Sequence, residues 1–120
     1  MGVAKTYEIK ARTFEFAVAV VRFTAELPRS TEGTIIARQL MRAGTAVGAN
    51  VEEANGARTK KEFINSMNIA RREARETHYW LRVIQGAGLV KMSALQELLA
   101  EADELVRILV TIVKRAEGHS

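Results

Sequence analysis

Three stretches of this chain space their core-type residues three or four positions apart. Ile36, Leu40, Ala43, Val47, Val51 and Ala54 form one stripe. Phe63, Met67, Ala70, Ala74, Thr77, Leu81 and Ile84 form a second, and Leu95, Leu98, Ala102, Leu105, Leu109 and Ile112 a third. On an α-helix this spacing gathers the residues on one face, and that face has to be buried. Only Phe14 to Val21 partly alternates in the manner of a strand, and its length and helical neighbours argue against one. The expectation is an all-α fold of four helices, at about 13–27, 31–54, 60–86 and 94–117, joined by short connections into an antiparallel up-down-up-down four-helix bundle. Residues 1–12, mixed and polar, read as a loose N-terminal arm, and 118–120 as a tail.

Local signals set these boundaries. Thr13 reads as an N-cap, and Pro28 ends the first helix because proline disfavours α geometry in the residue before it. Ser30-Thr31 with Glu32 opens the second. Gly33, Gly44 and Gly48 count against that helix by up to about 1 kcal/mol each relative to alanine. Thr59-Lys60-Lys61-Glu62 and Ser93-Ala94-Leu95-Gln96 both have the form of a capping box, and Gly86-Ala87-Gly88 suits a left-handed C-terminal cap.

Composition narrows the class. The 120 residues suffice for one domain, and an apolar fraction of 48% with a single proline is globular. The absence of cysteine excludes disulfides and thiolate chemistry and suits a cytoplasmic setting. The longest apolar run, Phe16 to Val21, is far short of the roughly 20 residues of a membrane span. Met1-Gly2-Val3-Ala4-Lys5 leads into charged residues and not into a signal core, so secretion is not expected. The net charge of +4 permits an anionic partner without demanding one.

The first helix carries more apolar surface than one bundle face uses. Its charged residues Glu15, Arg22 and Glu26 fall within about 40° of one another at 100° per residue. Nearly everything else between Phe14 and Leu27 is apolar. Phe14, Val18 and Val21 are therefore expected at an oligomer interface, because large exposed apolar patches mark interaction surfaces. The alternative is that the N-terminal arm folds over them.

The polar residues of the second and third helices fall in a recognisable order. Gln39-Leu40-Met41-Arg42-Ala43 is followed by Asn50-Val51-Glu52-Glu53 and then by Arg58-Thr59-Lys60-Lys61-Glu62-Phe63. Ile69-Ala70-Arg71, Glu76-Thr77, Tyr79-Trp80-Leu81-Arg82 and Gly86-Ala87-Gly88-Leu89 continue it. Over residues 14–115 this resembles the bacterial four-helix bundle proteins named for the 23S rRNA intervening sequence. Two positions depart from the family pattern: Ala54 stands where a glycine is usual, and Glu73 where a serine is frequent. The resemblance implies a bundle with left-handed twist, assembly as a homopentamer, and no established biochemical activity. Tyr79-Trp80-Leu81-Arg82 is also similar to the accessory protein of diversity-generating retroelements, which implies a second role, that of a reverse-transcriptase accessory subunit.

Candidate sites follow from which faces these residues share. Arg42, Asn50, Glu53 and Glu76 border the apolar stripes and are expected to form a structural polar network that fixes helix register, since an unsatisfied polar group near a core costs on the order of 1–3 kcal/mol; the alternative is an active or ligand site. On the outer side of the third helix, Lys61, Asn65, Asn68, Arg72, Arg75, Tyr79 and Arg82 form a stripe with no acid. Cations can neutralise phosphates, amides can reach sugar or base edges, and tyrosine can stack on an unpaired base, so the stripe is a candidate for RNA or DNA. A solvated face is the plain alternative. A third is contact with an acidic protein or with Glu97, Glu101, Asp103 and Glu104 of a neighbouring subunit, which would make the chain a scaffold or protein-interaction module. Enzyme signatures are absent. Glu76 and His78 are two apart and point to different sides, His119 sits in the tail, and neither a di-iron set nor a Ser-His-Asp group can be assembled. No catalytic residue, metal, cofactor or small-molecule substrate is expected.

Overall fold

The structure, a computed structural model, describes the backbone of residues 2–118 and the side chains of residues 8–118. Four helices fill it: α1 (Gly2–Thr24), α2 (Thr31–Asn55), α3 (Lys60–Ala87) and α4 (Ser93–Ala116). They pack as an antiparallel bundle 45 × 21 × 20 Å, each helix against the next in sequence, with α1 closing on α4. Among the described residues α1 and α3 make no contact, and neither do α2 and α4, so each pair sits at diagonal corners. His119 and Ser120, expected in the tail, lie outside the described residues.

The chain ends of the helices explain their limits. Ser30 caps α2, its Oγ accepting from Gly33 N at 3.1 Å. Thr59 caps α3, accepting from Glu62 N at 3.1 Å, while the Glu62 carboxylate reaches back to Arg58 N at 3.1 Å. Gly88, at φ 65°, ends α3 in the left-handed conformation. Leu89 N donates to Ile84 O and Gly88 N to Gln85 O, closing a complete Schellman motif.

Two expectations about helix starts are corrected. Ser93 does not cap α4; the cap residue is Met92, which makes no side-chain bond, and Leu95 N reaches Met92 O at 3.0 Å. More consequentially, residues 2–12 are not a loose arm but the first three turns of α1. Ile9, Thr13, Phe16, Val20, Phe23 and Leu27 are all buried and again four and three apart, so the core stripe reaches beyond the expected start. Thr13 is accordingly no N-cap. It lies inside the helix, and its Oγ1 returns a hydrogen bond to Ile9 O at 2.8 Å.

The core is continuous along all four stripes, with Leu40, Val47, Val51, Met67, Leu81, Ile84, Leu105 and Leu109 fully buried. Phe63, near the start of α3, and Ile112, near the end of α4, lie half-buried toward the same end of it. The glycines that count against α2 by propensity are explained by packing. A Cβ on Gly44 would lie 2.8 and 2.9 Å from the Val20 methyls, and one on Gly48 would lie 3.1 Å from Thr13 O. Helix α1 therefore runs close against α2. Arg12 ties it to α4, with Nη2 2.6 Å from one Glu101 oxygen, Nε 3.1 Å from the other, and Nη1 3.1 Å from Glu104.

Replacing Gly44 with alanine gains about 1 kcal/mol of helix propensity but overpacks a β-branched neighbour, at a typical cost of 1–3 kcal/mol. Gly44→Ala is expected to lower the urea midpoint. Gly86→Ala, where an added Cβ meets nothing within 4 Å, should hold or raise it. A midpoint for Gly44→Ala at or above wild type would show that the α1–α2 contact has slack.

Candidate nucleic-acid interface

The fold carries Lys61, Asn65, Asn68, Arg72, Arg75, Tyr79 and Arg82 on the outer side of α3, opposite buried Met67, Ala70, Ala74, Thr77 and Leu81. All are exposed except Asn68, which is half-buried and whose Oδ1 accepts from Arg71 Nε at 2.9 Å. The stripe spans about 32 Å of helix rise. Among the described residues, Lys61, Arg72, Arg75 and Arg82 make no ion pair.

That lack of partners is not for want of nearby acids. Helix α3 contains three, Glu62, Glu73 and Glu76, and each has another role. Glu62 closes the cap at Arg58 N. Arg42, reaching across from α2, holds both others, with Nη1 3.2 Å from Glu73 Oε1 and Nη2 on Glu76. Trp80 Nε1 donates to the same Glu76 carboxylate at 3.0 Å. The Trp80 indole, and then Arg42, hold the Glu76 carboxyl below its ordinary range against the opposing effect of partial burial. Glu76 in turn raises the Arg42 guanidinium.

The polar network thus differs from the expected one. Arg42 and Glu76 meet, but Asn50 and Glu53 do not join them. Asn50 Nδ2 donates to Ala46 O of its own helix at 2.8 Å, and Glu53 makes no side-chain bond among the described residues. Antiparallel register is the reason. With Arg42 opposite Glu73 and Glu76, Asn50 lies about 12 Å further along α2 and faces the opening turns of α3. The expected network does not include Glu73 or Trp80, although the spacing of Glu73, Glu76 and Trp80, three and four apart, already puts them on one face of the third helix beside its apolar stripe.

Two aromatic contacts organise the C-terminal end of the stripe. The Tyr79 and Trp80 rings meet edge-on at 5.2 Å with planes 70° apart, and the Arg82 guanidinium carbon lies 5.8 Å from the Tyr79 centroid. Tyr79 remains 49% exposed.

The acids of α4 are also largely occupied. Arg12 takes Glu101 and Glu104, and Asp103 pairs with Arg107 at 3.0 Å. On the α1 side, Phe14 is 64%, Val21 44% and Val18 36% exposed. The arm that could have covered them is helix. Phe14 and Val18, with Met92 and Ala94, line a groove of about 620 Å³ between α1 and α4. It adjoins a second of about 420 Å³ that ends at Arg12 and Glu101. Among the described residues no cluster of His, Asp and Glu could hold a metal, and no helix is long and apolar enough to cross a membrane.

The fold and sequence have counterparts in known proteins. A crystal structure of a protein with unknown function from the S23 ribosomal protein family of Bacteroides thetaiotaomicron is similar, with a TM-score of 0.84 and 32% identity. The match covers 92% of this chain and 98% of that one. No curated protein matches. The family model described as 23S rRNA-intervening sequence protein matches residues 5–111. With the family model and the solved four-helix relative in agreement, the chain belongs to the 23S rRNA-intervening sequence protein family.

Proposed function

We propose that this protein is a non-catalytic, self-associating bundle that binds RNA or DNA in the cytoplasm through the basic stripe of α3. The observation that carries the reading is the gathering of cations on one face. Lys61, Arg72, Arg75 and Arg82 line the outer side of α3 with no acid among them, and like Arg22, Arg38, Lys91 and other cations elsewhere they make no ion pair among the described residues. Exposed cations without partners keep their full charge for phosphates, and amides and a tyrosine between them suit sugar and base contacts. The scaffold reading, in which the stripe meets acids of a neighbouring copy, is less well supported. Glu101, Asp103 and Glu104 already have partners within the chain, which leaves Glu97.

Self-association rests on Phe14, Val18 and Val21 beside the groove. Burying them against another copy removes apolar surface at roughly 25 cal/mol per Å². Because α1 and α3 occupy diagonal corners, an assembly through α1 keeps the basic stripes turned outward.

Fluorescence anisotropy against salt tests the binding. Each phosphate contact contributes a slope of about −0.9 on duplex DNA and −0.7 on single strands in log affinity against log salt. Wild-type protein is expected to bind with a slope of several units. Arg72→Glu with Arg75→Glu should abolish binding and leave the assembly intact; unchanged affinity in that variant would remove the nucleic-acid reading. For the assembly, Val18→Glu or Val21→Glu should give a smaller mass than wild type in light scattering. An unaltered mass would place the interface elsewhere.

A further inference from the structure

We propose that Tyr79 is a stacking platform for an unpaired base, which makes the ligand of the α3 stripe a single-stranded polynucleotide; this rests on the nucleic-acid reading above. The ring combines two properties that a solvated tyrosine has no need of. It is 49% exposed, and it is held in place. The Trp80 ring abuts it at 5.2 Å, edge to face, and the Arg82 guanidinium lies 5.8 Å from its centroid. Trp80 is itself fixed through Nε1 to Glu76, and Glu76 is fixed by Arg42 from α2. A chain of contacts thus runs from the neighbouring helix to one exposed ring, which lowers the entropy lost when something stacks on it.

The position of the ring fits the same use. Arg75 lies one turn before Tyr79, about 6 Å along the axis, and Arg82 nearly one turn after, so phosphate-neutralising cations flank it on both sides. Planar guanidinium groups stack on bases as aromatic rings do, so a base can cover the solvent side of Arg82 or take its place over the ring. A row of cations alone would favour duplex, whose phosphate charge is denser. A ring changes that order. In a duplex each base face is covered by its neighbours, whereas an unpaired base offers its face to any aromatic surface, largely irrespective of sequence.

The test is anisotropy with labelled single-stranded RNA, single-stranded DNA, the same single strands carrying abasic positions, and duplexes of equal length. Tyr79→Ala is expected to weaken binding to intact single strands by roughly 5- to 150-fold and to leave duplex binding unchanged. It should lose nothing further on abasic strands, and Tyr79→Phe should stay near wild type. Loss on RNA or on DNA supports the platform, and the arm with the larger loss identifies the sugar. Circular dichroism checks that Tyr79→Ala keeps its helix content; should it not, the intact-versus-abasic comparison on wild-type protein decides alone. Equal loss on duplex and single strand, no loss at all, or indifference to abasic sites would overturn the platform while leaving Arg72- and Arg75-dependent binding in place. Absence of wild-type binding to every probe would overturn both readings.

Discussion

Helix α1 can lie against α2 as it does because two residues of α2 have no side chain. At Gly44 the Val20 methyls occupy the space of a Cβ, and at Gly48 the backbone of Thr13 comes nearly as close. The cost is local, roughly 1 kcal/mol of helix propensity at each position. The consequence is felt across the bundle. With α1 drawn toward α2, its contact with α4 is slight, and Arg12 on Glu101 and Glu104 is the polar tie across that seam. The rest of the seam stays open as the groove beneath Phe14 and Val18. The apolar excess of α1 is therefore not absorbed by the bundle. It is displayed along one edge.

A second constraint acts on charge. An exposed ion pair contributes about 0–1 kcal/mol, so the Arg42 tie does little to hold the fold together, whereas the half-buried, two-pronged Arg12–Glu101 pair is of the stronger kind. Both ties also take carboxylates out of circulation. Arg42 engages both carboxylates that border the α3 stripe, and Arg12 engages two of the four acids at the start of α4. Each arginine offsets part of the charge of the two carboxylates it holds. Glu73 and Glu76 turn toward α2 and leave the outer side of α3 without an acid, and that is a property of packing more than of composition.

This difference marks what could be read in advance. The limits of α2, α3 and α4 were legible to within a residue, because Ser30, Thr59 and Gly88 are local signals and the stripes between them are long. The start of α1 was not. Among the residues before Thr13 whose side chains are described, Ile9 is the one core apolar position, and a threonine that looks like a cap is in fact a buried member of the stripe. Faces were legible and register was not. The side of α3 holding Arg72 and Arg75 follows from 3.6 residues per turn. Whether Glu76 meets Arg42 or Asn50 depends on how far α2 and α3 slide past each other, which the loop at residues 56–59 and the core decide together. The glycines of α2 were read as a weakness for the same reason: propensity is local, and the partner that needs the space lies more than twenty residues away.

Diagonal placement of the apolar edge and the basic edge bears on how weak contacts could matter. Four unpaired cations on one chain can neutralise at most about four phosphates, a salt slope near −3 on a single strand and a modest affinity at physiological ionic strength. A copy joined through α1 would meet the bundle at the corner diagonal to those cations. Each added copy would therefore present its own stripe. A strand already held by one copy meets the next at an effective concentration set by the span between them, and affinity multiplies without any contact improving. On this reasoning, the residues that matter most for a polynucleotide are not all on the helix that touches it. Phe14, Val18 and Val21, at the far corner of the bundle, would set its affinity by setting how many stripes it meets.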